Sequence, residues 1–282
     1  MGNVGALDVY PALVAGQLRA IPWAARELLS GRVRDARLLK TLYRLKGLSA
    51  RGYYHNIHVS SGYSTYSIGG MRANRPLSDP AASDILWGLI SSAIPGGWRG
   101  ARVVDIGPAE GYFTLAAARA GAQVTAIHPP HYFFTRRLTA LAAYFELSPR
   151  IRLQIGLYPD AGREAVREAQ VVLCLGLLYH LPDIEAALEP FTQSRATVLI
   201  EGVFAKDGTP AGPSGWAQGF DPRRHRENDP VCARWLADAL ARRGFSVSWL
   251  DEWQRFVERP GNLRHPHTRR ALVAAPASRP TP

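Results

Sequence analysis

From Arg102 onward, short apolar runs rich in β-branched residues alternate with stretches of helical period. Strand character falls at 102–106, 122–127, 151–155, 170–175, 196–201, 245–250 and 271–275. Helical character lies between them at 111–120, 132–146, 160–168, 183–192 and 230–243. Such alternation over this length predicts a mainly parallel seven-stranded sheet with helices on both faces. Right-handed crossovers then put any ligand at the carboxyl ends of the strands, beside the point where strand order reverses. No helical period is evident between 250 and 271, so the last strand is expected to enter antiparallel, as part of a hairpin.

Upstream, residues 84–94 read as a helix with Ile85, Leu86, Leu89 and Ile90 on one face, ending at Pro95-Gly96-Gly97. Ala12, Leu13, Leu18, Ile21, Trp23, Ala24, Leu28 and Leu29 recur at roughly helical spacing, interrupted by Pro11 and Pro22. Seven basic residues (Arg32, Arg34, Arg37, Lys40, Arg44, Lys46, Arg51) thread among Leu38, Leu39, Leu42 and Leu45, which predicts an amphipathic basic helix ending near Gly47. That pattern suits an RNA-facing or membrane-surface helix, and equally a covering helix whose cations stay in water. Residues 52–80 read as a loop rich in Tyr and His, placed like a lid. The expected organisation is an N-terminal helical extension and lid over 1–80, a main domain over 81–276 with an inserted Gly- and Pro-rich loop at 203–228, and a disordered tail at 277–282.

Composition changes this picture little. A hydrophobic content of 46% and a charged content of 20% fit a globular chain. No apolar run reaches bilayer-spanning length and no secretory signal is evident, so a cytoplasmic protein without a membrane partner is expected. Cys174 and Cys232 have no partner at disulfide or zinc spacing, and no metal is expected. The formal charge of +11, carried by 31 Arg and 3 Lys, suits RNA, an anionic metabolite or an acidic protein, and also a basic surface with no dedicated partner.

The candidate chemistry converges on the sheet's carboxyl edge. Asp105-Ile106-Gly107-Pro108-Ala109-Glu110-Gly111-Tyr112-Phe113 is a strand end, a tight loop and a helix start. Its glycines allow backbone amides to approach a ligand, and Asp105 offers an acceptor. Ile127-His128-Pro129, Gly156-Leu157-Tyr158 and Leu175-Gly176-Leu177-Leu178-Tyr179-His180-Leu181-Pro182 end the following strands. Together with the upstream Tyr53-Tyr54-His55-Asn56-Ile57, these motifs resemble class I S-adenosylmethionine-dependent methyltransferases. More narrowly they resemble the tRNA wobble-uridine carboxymethyltransferase-like group. The resemblance covers roughly residues 52–202 and 237–250.

The resemblance implies a Rossmann-like fold with S-adenosylmethionine as cofactor. The 105–111 loop, with Asp105, Gly107, Glu110 and Gly111, would cradle the methionine part, with Tyr54 and Tyr112 beside it. Residue 128 would face the ribose hydroxyls, and Leu157 and Tyr158 the adenine. Leu175 and Gly176 would border the cofactor and Tyr179 would sit near the sulfonium. His55, His180 and Glu201 are candidate proton acceptors. Two features depart from the family. His128 replaces the acid expected at the second strand's end, and Pro108-Ala109-Glu110 replaces the middle glycine of the loop. No lysine-rich element matches the one used for a carboxylated donor, which favours plain S-adenosylmethionine. The expected acceptor is a small metabolite or biosynthetic intermediate; an anionic one would draw Arg223, Arg224 and Arg226 of the inserted loop toward it. The rivals are a tRNA-modifying transferase and a domain that has repurposed the cofactor site. Oligomeric state is not legible.

Overall fold

The computed structural model describes residues 6–30, 33, 35–49, 52–72, 77, 79–261 and 267–277, with side chains from Val14 onward. Arg32, Arg34 and Arg51 of the expected basic helix, and residues 278–282 of the expected tail, lie outside the described residues. The chain begins with α1 (Ala6–Leu29) and α2 (Ala36–Gly47). The breaks expected at Pro11 and Pro22 do not occur. An interior proline removes one backbone bond, and here packing along α2 outweighs that loss. Residues 52–80 are not a plain loop: β1 (His58–Ser60) pairs with β2 (Tyr63–Ser64), and α3 (Thr65–Gly69) follows under a reciprocal Ser64/Ser67 capping box.

After α4 (Ala82–Ser92) come β3 (Arg102–Ile106), α5 (Tyr112–Arg119), β4 (Gln123–His128), α6 (Tyr132–Tyr144), β5 (Ile151–Ile155), α7 (Arg163–Glu168), β6 (Val171–Leu175), α8 (Ile184–Thr192) and β7 (Thr197–Phe204). The chain ends with α9 (Ala233–Arg242), β8 (Phe245–Trp249), α10 (Asp251–Val257) and β9 (Thr268–Pro276). All seven predicted strands are present, within a few residues of their expected bounds. They form one sheet in the order β5-β4-β3-β6-β7-β9-β8, with β9 antiparallel to both neighbours. Helix α10 occupies the span expected to be irregular. Its Trp253, Phe256 and Val257 are buried at i, i+3 and i+4, a stripe too short to stand out from sequence.

Alternate residues of the central strands face opposite layers. Val103, Leu173 and Leu199 pack with α4, α5, α6 and α10, whereas Val104, Val172, Val198 and Leu272 pack with α7, α8 and α9. Both faces are therefore covered, which accounts for the unbroken apolar runs in the strands. The order reverses between β3 and β6, so a crevice opens at their carboxyl ends. Leu42 and Leu45 of α2 join the α5/α6 layer, while α2's Arg37 binds Glu146 and the carbonyls of Ala143 and Tyr144. The basic helix covers the core with its leucines and fastens itself with some of its cations.

Candidate active site

Strand β3 delivers Asp105 to the crevice, only 2% exposed, where its carboxylate accepts the Thr114 hydroxyl at 2.5 Å. Burial pushes this carboxyl up to about 6, against the opposing pull of the Thr114 bond and of His55. Gly107 and Gly111 have φ of +74° and +89°, in the left-handed region. A Cβ at Gly111 would also run into the Leu138 side chain of α6. Backbone conformation and packing thus both require glycine at the start of α5.

Glu110, between them, is fully buried. One of its oxygens accepts the Tyr54 backbone N–H at 2.7 Å and Arg137 at 3.2 Å; the other lies 3.1 Å from His55 Nδ1. Burial alone would raise this carboxyl, but the His55 bond and charge, and then Arg137, hold it below its ordinary value. Arg137 is itself buried, donates to the Leu48 carbonyl and lies over the Tyr53 ring at 4.2 Å. Glu110 is therefore not turned toward a ligand as expected. It ties Leu48, Tyr54 and His55, the loop and α6 into one node. The Tyr54 ring sits between the Arg72 guanidinium, 4.6 Å away, and Phe134. Tyr112 also departs from expectation: its hydroxyl binds Asp84, turning the ring onto α4.

At the end of β4, His128 is 2% exposed. Its Nδ1 lies 2.8 Å from the Pro129 carbonyl, while Nε2 is buried with no hydrogen-bond partner among the described residues. Burial lowers its pKa, against the raising pull of the Pro129 and Ala109 carbonyls, so the ring is neutral at neutral pH, with Nδ1 donating and Nε2 carrying the lone pair. Leu157, beyond β5, is 69% exposed. Tyr158 instead turns inward and donates its hydroxyl to the Ala187 carbonyl at 2.7 Å, so only Leu157 of the pair presents an open apolar surface.

Beyond the reversal, β6 ends at Leu175, followed by Gly176 and a short 3-10 turn carrying Tyr179 and His180. The Tyr179 hydroxyl accepts from Arg269 of β9 at 3.3 Å. Arg269 forks onto Glu201 through bonds of 2.7 and 2.5 Å, and the Trp253 indole also reaches Glu201, at 3.3 Å. Both carboxylate oxygens are committed in a buried pair, so Glu201 is not available as the proton acceptor the sequence suggested. His180 stands 3.7 Å from Glu227, beyond hydrogen-bond reach, and burial depresses its pKa. The inserted loop is pinned to this turn. Asn228 N–H donates to the Tyr179 carbonyl at 2.6 Å, and the His225 ring nitrogens lie 3.1 and 3.0 Å from the Leu181 and Asp229 carbonyls. Arg223, Arg224 and Arg226 are exposed.

Asp105, Gly107, His128, Gly176 and Tyr179 thus end neighbouring strands or their loops around one crevice. Nothing in the sequence singles out Arg137 or Arg269. Each pairs with a carboxylate 27 or 68 positions away, and one arginine among 31 gives no local signal. Cys174, beside Asp105, is a buried free thiol whose pKa burial raises, an inert filler. Two cavities lie apart from the crevice. One of about 360 Å³ opens between His58, Asp84, Trp87 and Arg119, and one of about 520 Å³ sits at the opposite edge of the sheet, by Arg102, Arg167 and Arg195.

No family model and no curated protein sequence matches the chain. Solved structures do. The N-terminal domain of EvdMO1 with SAH bound superposes with a TM-score of 0.59 at 18% identity, over 87% of this chain and 100% of that one. The same domain in the presence of SAH and D-fucose gives 0.57 at the same identity and coverage. Against intact EvdMO1 the chain spans 42% of that protein's length. At these identities the likeness concerns architecture, and the chain has the Rossmann-like class I methyltransferase fold.

Proposed function

We propose that this protein is an S-adenosylmethionine-dependent methyltransferase acting on a small molecule. One observation carries the reading. A positive-φ glycine loop, a buried strand-end carboxylate and an unpaired buried imidazole nitrogen meet at the switch point of a fold whose solved neighbour binds SAH. These features fit the cofactor: a left-handed glycine turn at Gly107 and Gly111, an acceptor at His128 Nε2 for a ribose hydroxyl, and Leu157 as an apolar cover for the adenine. Asp105 and the loop would hold the methionine part.

When bound, the cofactor supplies an electrophilic methyl group on a sulfonium. The chain's own contribution is alignment and proton handling. Tyr179, fixed by Arg269, presents a phenol and aromatic face at the carboxyl end of β6, suited to a neighbouring cation. His55 is the best-placed base. Glu110 orients it through Nδ1, leaving Nε2 to take the acceptor's proton. His180 lacks such an orienting carboxylate and Glu201 is locked to Arg269. A small acceptor is favoured over tRNA because Arg37 and Lys46 of α2 are engaged within the protein, Lys46 on the Ile68 carbonyl at 2.6 Å. The narrower likeness to the wobble-uridine group draws support from Tyr54 and His55 being wired to Glu110 of the loop.

Calorimetric titration of the full chain with S-adenosylmethionine and SAH tests this reading. A single saturable site is expected. His128→Asp should tighten it by roughly tenfold, because a carboxylate accepts both ribose hydroxyls where imidazole accepts one. Absence of binding by the folded wild type would instead mean that the fold has been repurposed.

A further inference from the structure

Helix α1 has two unlike faces. Its inner face is committed: Ala20 is fully buried, Glu27 accepts the Tyr63 hydroxyl at 2.6 Å, Trp23 lies under Lys46 of α2, and Gly16 crosses close to Gly47. Its outer face is apolar and open. Val14, Leu18, Ile21, Leu28 and Leu29 are 41–86% exposed, and they make up five of the seven large hydrophobic side chains exposed among the described residues. Ala15, Pro22 and Ala25 are exposed among them. At roughly 100° per residue these positions form one unbroken arc of about 140°, and Arg19 and Arg26 fall side by side along one margin.

A broad apolar arc edged by arginine is the pattern of a helix that lies in a membrane interface, with its apolar side chains among acyl chains and its cations among the headgroups. Between Val14 and Leu29 no acidic side chain is exposed, since Glu27 is buried. A second copy of a chain carrying +11 would bring like charge against like, whereas an anionic bilayer complements it. No described helix is long and apolar enough to cross a membrane, so contact would be peripheral. We infer that α1 docks the protein on the surface of anionic phospholipid bilayers through the Val14–Leu29 face. This holds whatever reaction the crevice performs.

Co-sedimentation of the full chain with phosphatidylglycerol/phosphatidylcholine vesicles, and with pure phosphatidylcholine vesicles, tests the inference. The wild type should pellet with the mixed vesicles, far less with the neutral ones, and less as salt rises. Leu18→Glu/Ile21→Glu and Leu28→Ser/Leu29→Ser alter only exposed positions and should each cut binding by roughly tenfold or more. Their circular dichroism and thermal midpoints should match the wild type. The inference is overturned if the wild type stays in the supernatant, or if both folded variants bind as well as it does. It is also overturned if light scattering finds a vesicle-free dimer that Leu18→Glu/Ile21→Glu converts to monomer.

Discussion

Two buried carboxylate–arginine pairs stand on opposite sides of the switch point, and they do different work. Glu110–Arg137 joins segments distant in sequence: Leu48, Tyr54 and His55 upstream, the loop after β3, and helix α6. Glu201–Arg269 joins adjacent antiparallel strands and reaches one step further, to the Tyr179 hydroxyl. The first pair holds Leu48, Tyr54 and His55 against the loop after β3 and helix α6. The second decides where one phenol sits. A buried ion pair adds little net stability over an apolar substitute, yet losing one partner strands the other charge. Each pair therefore makes its attached segment intolerant of displacement.

Glu110→Ala should have the largest effect. It strands Arg137 and should cost about 3–5 kcal/mol in urea unfolding. Glu201→Ala should cost a similar amount. Limited proteolysis separates the two, because new cleavage within residues 48–72 is expected from Glu110→Ala alone. Equal cleavage in both variants would abolish the distinction.

Asp105→Asn comes next. The carboxyl's folded pKa, about 6, lies above its unfolded value, so its stabilising contribution is present below about pH 4 and lost as pH rises through 6. The asparagine variant should be more stable than wild type by about 1–3 kcal/mol at pH 7.5, yet weaker in SAH binding. The stability gap should close on acidification. A less stable variant at pH 7.5 would mean that Asp105 is not held against a desolvation penalty.

A smaller effect is expected at His131, which stacks on Phe134 at 4.2 Å and whose pKa burial lowers to about 4. Its contribution is present above its unfolded pKa and fades as pH falls from about 6.5 toward 4. His131→Phe should flatten the fall in thermal midpoint over that range; an unchanged slope would assign acid lability to His128 and His180. Tyr179→Phe, which removes one 3.3 Å bond and keeps the ring, should change stability by less than about 1 kcal/mol.

Much of the architecture was legible from sequence, since strands buried on both faces write themselves as runs such as Val171–Leu175 between helical stretches. The glycine loop was legible too, because the left-handed backbone at residues 107 and 111 favours Gly. The pairing that organises the site was not. Glu110 reads as part of a loop that cradles a cofactor, and nothing near it announces Arg137 on α6. Tyr112 and Tyr158 sit at the right places in the chain, but their rings are turned away by Asp84 and the Ala187 carbonyl. A local pattern fixes position along an element; side-chain direction depends on distant neighbours. The exposed face of α1 was hidden for the same reason, since its periodicity alone does not say which arc α2 leaves open.

Hydrogen–deuterium exchange of the full chain with and without saturating SAH tests the central claim most directly, that both sides of the switch point form one cofactor site. Slowed exchange in both 105–113 and 175–181, with no change at Arg102 or Arg195 on the opposite edge, is the predicted result. Protection of neither segment, or of only one, would contradict it.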